Sequence, residues 1–187
     1  MIHGASLSSL ALGWFAMMTI MMTPTVWPWM AAFDRLGGSK LIFSAGYAAA
    51  WLLYSIAAAS IQLLLPHHLP AAIAAAILFI AGAFQFAPIK RACLTHCRNP
   101  LTYFLARWRD GRSAGFRMGF GHGLFCVMCC WALMATTLAV GVMSLWWMAA
   151  LAIVTFAEQV SPWGDRVRVA VGVALMLGAA AQLSAVR

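Results

Sequence analysis

Apolar runs of about twenty residues recur along this chain, and that recurrence limits its fold more than any other feature. A helix needs about 20 mostly apolar residues to cross the hydrocarbon core of a bilayer. Six stretches come close to that length, at about 7–31, 41–65, 70–89, 118–140, 143–160 and 167–186. Each is bounded by residues that end helices. Asp34-Arg35-Leu36-Gly37-Gly38 follows the first, and Pro66-His67-His68-Leu69-Pro70 follows the second. Gly141 and Ser144 separate the fourth from the fifth, and Ser161-Pro162-Trp163-Gly164-Asp165 precedes the last. The runs are too long for barrel strands and lack strict alternation. The expected fold is all-α, a polytopic membrane helical bundle of about six transmembrane helices. It forms a single transmembrane domain over residues 1–187, with a basic loop at 90–117.

Composition supports this and excludes other classes. Of 187 residues, 64% are hydrophobic and 9% charged, against about 45–50% apolar and about 25% charged in a soluble domain. A soluble enzyme, a disordered tail and a disulfide-rich mini-domain are thereby excluded. The net charge of +8 reads as orientation. Lys90, Arg91, Arg98, Arg107, Arg109, Arg112 and Arg117 lie between the third and fourth runs, opposed by Asp110 alone. Arg35 and Lys40 lie in the first connection, and Arg166 and Arg168 in the fifth. With six spans these connections share one face, which therefore carries every cation except Arg187, and the positive-inside rule makes that face cytoplasmic. The expectation is a multi-pass protein of a bacterial-type inner (plasma) membrane with both termini external. The lipid bilayer is then its main partner, and nucleic acid is not a partner. Met1-Ile2-His3-Gly4 lacks the basic n-region of a cleaved signal peptide.

The few ligand-type side chains are clustered. Cys93 and Cys97 stand at i and i+4 with His96 between them, and His122, Cys126 and Cys130 stand at i, i+4 and i+8 on one helix face. Met118 extends that row by one turn, and Cys129 lies one position round from it. From Met118 to Cys130 the row is about 18 Å long at the helical rise. Thiolates select Cu(I) and Zn(II), and imidazole suits several metals. Cys93, Cys97, His122, Cys126, Cys129 and Cys130 are therefore candidate metal ligands, with His96 and Met118 as further candidates. The set exceeds one tetrahedral site, so it allows either one site with a relay or two sites. An isolated buried cysteine is ordinarily a small hydrophobe, but five thiols at one depth argue for metal. Cys126-Val127-Met128-Cys129 also has the spacing of a thiol-redox pair, although a cytoplasmic position keeps thiols reduced. Gly115, Gly119 and Gly123 repeat every four residues, which lets a second helix approach closely.

Met17, Met18, Met21 and Met22 form two i, i+4 pairs in the first run. They are either thioether transfer ligands for Cu(I) or flexible packing. Pro24 is expected to end or kink that helix. Glu158 is the acid lying well inside an apolar run, which makes it a functional candidate. It would serve as a salt partner or proton acceptor near the metal, unless it sits solvated at the interface. Trp27, Trp29, Trp146, Trp147 and Trp163 fall near run ends, where aromatic belts form. His67-His68 reads as a solvated turn. No phosphate-binding loop or HExxH motif is present, so no catalytic residue is assigned. Copper as Cu(I) is the expected cargo, with zinc or haem as alternatives and delivery, storage or sensing as the task. The partner would be a metal-donor or acceptor protein or a larger membrane complex. Two other classes stay open. One is a haem-binding or thiol-redox subunit of a membrane oxidoreductase complex, using His122 and His96. The other is a structural subunit of a membrane complex.

Four segments resemble a family of predicted metal-binding integral membrane proteins often labelled copper chaperones. They are Met17 to Pro24, and Pro88-Ile89-Lys90 with Cys93-Leu94-Thr95-His96-Cys97-Arg98-Asn99-Pro100. The third is His122-Gly123 leading to Cys126-x-x-Cys129-Cys130-Trp131, and the last is Gly141-Val142-Met143-Ser144 with Trp147-Met148 and Glu158. The resemblance spans nearly the whole chain and implies metal binding. Gln159 follows the acid where the resemblance implies a Lys.

Overall fold

The computed structural model describes residues 6–66, 69–108, 111–140 and 144–184, and these contain no strand. The helices are α1 (Leu7–Arg35), α2 (Lys40–Leu64), α3 (Ala71–Phe84), α4 (Pro88–Cys97), α5 (Pro100–Arg107), α6 (Arg112–Val140), α7 (Leu145–Val160) and α8 (Gly164–Ser184). His67, His68, Arg109, Asp110, Gly141, Arg187 and the first four residues lie outside the described residues, as does the side chain of Arg112.

Local chemistry sets most boundaries. The Ser6 hydroxyl accepts from the Ser9 amide at 3.3 Å, an N-cap for α1. At the other end, Gly38 N donates to Phe33 O and Gly37 N to Asp34 O, both at 3.0 Å. Gly37 has φ +86°, the left-handed position such a C-terminal motif requires. Pro24 does not end the helix, because α1 continues through both Pro24 and Pro28. Each proline removes one helical hydrogen bond, but Met17, Met18, Met21, Met22, Val26 and Trp29 are all buried along this helix. That packing holds it together. The basic segment 90–117 is likewise not a loop. Pro88 and Pro100 start α4 and α5, since proline at the first helical turn gives up an amide that has no partner there.

Four helices are long and apolar enough to cross a membrane: Leu7–Arg35, Lys40–Leu64, Ser113–Val140 and Gly164–Ser184. α3 and α4, bent by 64° at their break, make a fifth if counted as one broken span. α7 has 16 residues; at the helical rise these reach about 24 Å, less than the roughly 30 Å hydrocarbon core. The chain therefore offers four to five spans of full length where the sequence suggests six. Polarity is inverted relative to a soluble protein. Leu12, Ile20, Leu41, Leu64, Ile153 and Leu177 are each more than three-fifths exposed, whereas Gln85, Lys90, His122 and Glu158 are buried. An apolar exterior of this extent is compatible with a multi-pass membrane protein.

α6 is the central element and touches α2, α3, α4 and α7; α8 closes against α3 and α7, and α1 against α2, α5 and α7. The α2–α6 contact is backbone to backbone. A Cβ on Gly46 would meet the Phe116 carbonyl oxygen, one on Gly119 the Phe43 carbonyl oxygen, and one on Gly123 would lie 2.7 Å from Ala50 Cβ. The small-residue spacing thus does what the sequence predicts. Gly119→Ala should force the two backbones apart and cost about 1–3 kcal/mol, the usual range for overpacking. Gly13→Ala, which meets nothing within 4 Å, should raise the thermal unfolding midpoint in detergent slightly, by helix propensity.

Candidate metal centre

Cys126, Cys129 and Cys130 occupy i, i+3 and i+4 of α6, so one helical turn carries all three on one side. Their sulfurs lie within 4.8 Å of one another, and Cys129 Sγ is 3.3 Å from Cys130 Sγ. All five cysteines are free thiols. The triad is sealed from solvent, at 0–1% exposure.

Side chains from three other elements surround it. Tyr47 of α2 places its hydroxyl 3.3 Å from Cys126 Sγ. Gln159 of α7 directs Nε2 to all three sulfurs, at 3.8 Å from Cys126, 3.7 Å from Cys129 and 3.2 Å from Cys130. A single amide donor thus covers the triad. Cys97, at the end of α4, is near enough to act electrostatically on Cys126 and to influence Cys129. It lies beside the tight group of three without belonging to it. Cys93, one turn earlier, is buried and interacts with Cys97.

His122 and His96 do not belong to the tight group. His122 is one turn before Cys126 and stacks on Trp29, with centroids 3.6 Å apart and planes 18° apart. Its buried Nδ1 has no hydrogen-bond partner among the described residues. His96 stacks on Phe125 at 3.9 Å, and its buried Nε2 is likewise unpartnered among the described residues. Trp29, expected in an aromatic belt, is instead 2% exposed and donates to the Cys97 carbonyl at 2.9 Å. Trp27, Trp146 and Trp163 do face outward. Met17, Met18, Met21, Met22 and Met118 are all buried.

Glu158 is fully buried and not solvated at an interface. Its Oε2 is 2.7 Å from Lys90 Nζ, itself completely buried. The Gln85 side chain, at the bend between α3 and α4, faces the same carboxylate. Around this pair Arg98 donates from Nε and Nη2 to the Glu158 carbonyl at 3.0 and 2.7 Å. Arg98 also reaches Asp165 at 3.4 Å. Arg168 pairs with Asp165 at 3.8 Å and donates to the Gln85 carbonyl. The ammonium of Lys90 acts electrostatically on Cys130, and Glu158 directly precedes Gln159, whose amide donates to the triad.

Sequence reasoning missed Gln159, Lys90, Tyr47 and Trp29. Lys90 resembled one more basic loop residue beside Arg91, and Gln159 stood out only as a departure from an expected Lys. Removing one partner of a buried ion pair leaves an unpaired charge worth about 3–5 kcal/mol. Lys90→Met and Glu158→Leu should each destabilise the protein by that order. The double variant should recover most of the loss in thermal unfolding.

Residues 11–182 match the PpoB2 family, described as copper chaperone. No match is found among curated proteins or among solved structures. The family match covers all eight helices apart from the first residues of α1 and the last of α8, including every thiol described above. By that match, the chain belongs to the PpoB2 copper chaperone family.

Proposed function

We propose that this chain is a Cu(I)-handling integral membrane protein that holds the ion at Cys126, Cys129 and Cys130 and transfers it to a partner. The observation that carries this reading is the sealed three-thiol cluster beneath the Gln159 amide. Metal–thiolate bonds of about 2.3 Å put three sulfurs in a plane about 4 Å apart, close to the spacing here. A structural zinc site takes four protein ligands. The fourth approach here is occupied by Gln159 Nε2, a hydrogen-bond donor that cannot coordinate. Three soft sulfurs drawn together, with Cys97 outside the tight group, favour Cu(I). The Gln159 amide would then stabilise thiolate charge from outside the coordination shell.

Several finer assignments belong to the same proposal. α7 completes a six-helix arrangement in a bacterial-type inner membrane, with the basic connections cytoplasmic. Cys97 and Cys93 extend the thiol path toward that side, with His122, His96 and Met118 near it. Met17, Met18, Met21 and Met22 supply a thioether wall along α1. Glu158 keeps Lys90 in place beside the cluster. Haem ligation by His122 is disfavoured, because its ring is stacked on Trp29 and flanked by Tyr47 at 5.6 Å and Phe43 at 6.1 Å.

Protein purified anaerobically should carry about one copper per chain by elemental analysis, and Cys126→Ser with Cys130→Ser should remove it. Copper content unchanged in that double variant sinks the assignment. Gln159→Leu should keep the copper and weaken its affinity by about 10–100-fold, the usual effect of losing an outer-shell partner. Competition with a chromophoric Cu(I) chelator measures that loss.

A further inference from the structure

The triad is sealed, so a metal ion needs a way in. A cavity of about 360 Å³ lies where the ends of α4 and α7 meet α1 and the start of α5. Cys97, Gln159, Trp29 and Arg98 line it, together with Ser161 and Pro162 of the connection after α7. Two of these residues lead inward. Cys97 is 4% exposed and shares the cavity wall with Gln159, and Gln159 touches all three triad sulfurs. Exposure falls from the outer rim, where Pro162 is exposed, through Cys97 and Gln159 at 4–5%, to the triad at 0–1%. Another large cavity among the described residues lies between α5 and α6, lined by Tyr103, Arg107, Arg117 and Met118. None of the five thiols lines it.

We propose that the Cys97 cavity is the port of the metal centre: it accepts Cu(I) bound to a small anionic thiol carrier, and Cys97 is the first protein ligand. This rests on the copper reading of the triad. The cavity falls at the lower end of the roughly 300–1,000 Å³ typical of small-ligand sites, too small to admit a folded domain. Its cation is Arg98, which suits a bis-thiolate Cu(I) complex carrying net negative charge. The transfer is ligand exchange without redox. One carrier sulfur–copper bond breaks as the Cys97 sulfur–copper bond forms. The Cys97 proton leaves on the departing carrier, now a thiol, and copper stays Cu(I). Cys129 then displaces Cys97 from the metal, and the Cys129 proton passes to Cys97, which resets the port. Cys126 displaces the second carrier sulfur, which leaves as a thiol with the Cys126 proton, and Cys130 completes the site as its proton is released to water. Gln159 lies between cavity and triad, so its amide must swing aside for the ion to pass.

The test uses the full-length protein in detergent, anaerobic and copper-free, mixed with Cu(I)–glutathione. Loading is followed by stopped-flow absorbance of the copper–thiolate band, and final copper per chain is counted. Cys97→Ser should slow loading at least tenfold while final copper stays at the wild-type value. Ser161→Trp, which fills the outer cavity without touching a thiol, should slow it comparably. Ala106→Trp, in the cavity between α5 and α6, should not. Wild-type loading rates in both Cys97→Ser and Ser161→Trp overturn the port. Loss of final copper in Cys97→Ser also overturns it, by making Cys97 a holding ligand. Faster loading from a copper-carrying protein than from Cu(I)–glutathione, insensitive to Ser161→Trp, replaces the cavity with a protein-docking route. A wild-type protein that takes up no copper rejects the triad reading itself, and the port falls with it.

Discussion

The backbone contact between α2 and α6 governs the rest of the molecule. At Gly46 and Gly119 no side-chain atom intervenes, and each glycine's missing Cβ leaves room for a carbonyl oxygen of the other helix. This contact fixes the depth and rotation of α6. Phe43 and Tyr47, on either side of the contact, then reach His122 and Cys126. With one side of α6 committed to α2, its other sides meet α3, α4 and α7. Those helices deliver Gln85, Lys90, Cys97, Glu158 and Gln159. A shift of α6 by one residue would turn its Cβ row by about 100°, following from 3.6 residues per turn, and would disperse the thiols. Glycine in a helix carries a propensity cost of about 1 kcal/mol against alanine. Close packing of this kind is what offsets it.

Charge in the interior follows from that arrangement. Three thiolates binding one Cu(I) carry a net negative charge, which a low-dielectric site tolerates only beside compensating groups. Lys90 is such a group, since its ammonium acts on Cys130. Lys90 alone would itself be an uncompensated buried charge, and Glu158 at 2.7 Å supplies the counter-ion. Without metal, the neutral thiols and the Lys90–Glu158 pair sum to zero. With metal, the excess negative charge falls next to the ammonium. Arg98 and Arg168, tied to the Glu158 and Gln85 carbonyls, hold the helix ends that carry this pair. Gln159 fits the same logic. A lysine there would add a second cation within reach of the sulfurs, whereas an amide offers hydrogen bonds without adding charge.

Much of this was legible in the sequence, and the exceptions have physical reasons. The long helices follow from apolar run length, the end of α1 from the residues Asp34 to Gly38, and the thiol cluster from the i, i+4 spacing of Cys126 and Cys130 with Cys129 one position round. The reading failed where packing overrode a local rule. Pro24 and Pro28 sit inside α1 because its buried face outweighs two lost hydrogen bonds. Segment 90–117 looked like a loop because its charges are many, yet Pro88 and Pro100 begin helices within it, and the charge of Lys90 is neutralised by a carboxylate sixty-eight positions away. No one-dimensional pattern reports such a pair. Trp29 misled for a similar reason. Its place near a run end resembles a belt residue, but it follows a turn of buried methionines and points inward. Gln159 could be found only by knowing which face of α7 meets α6.

The separation of His122 from the triad shows how one helical row can hold two environments. By spacing, His122, Cys126 and Cys130 should share a stripe, and they do. Yet a side chain covers the turn N-terminal to its own Cα, so the imidazole leans away from Cys126 toward the start of α6. There it meets Trp29, which clamps it face to face at 3.6 Å. The tryptophan is anchored in turn, because its indole N–H is bound to the Cys97 carbonyl. The same contact that fixes the backbone of Cys97 beside the triad therefore holds His122 out of it.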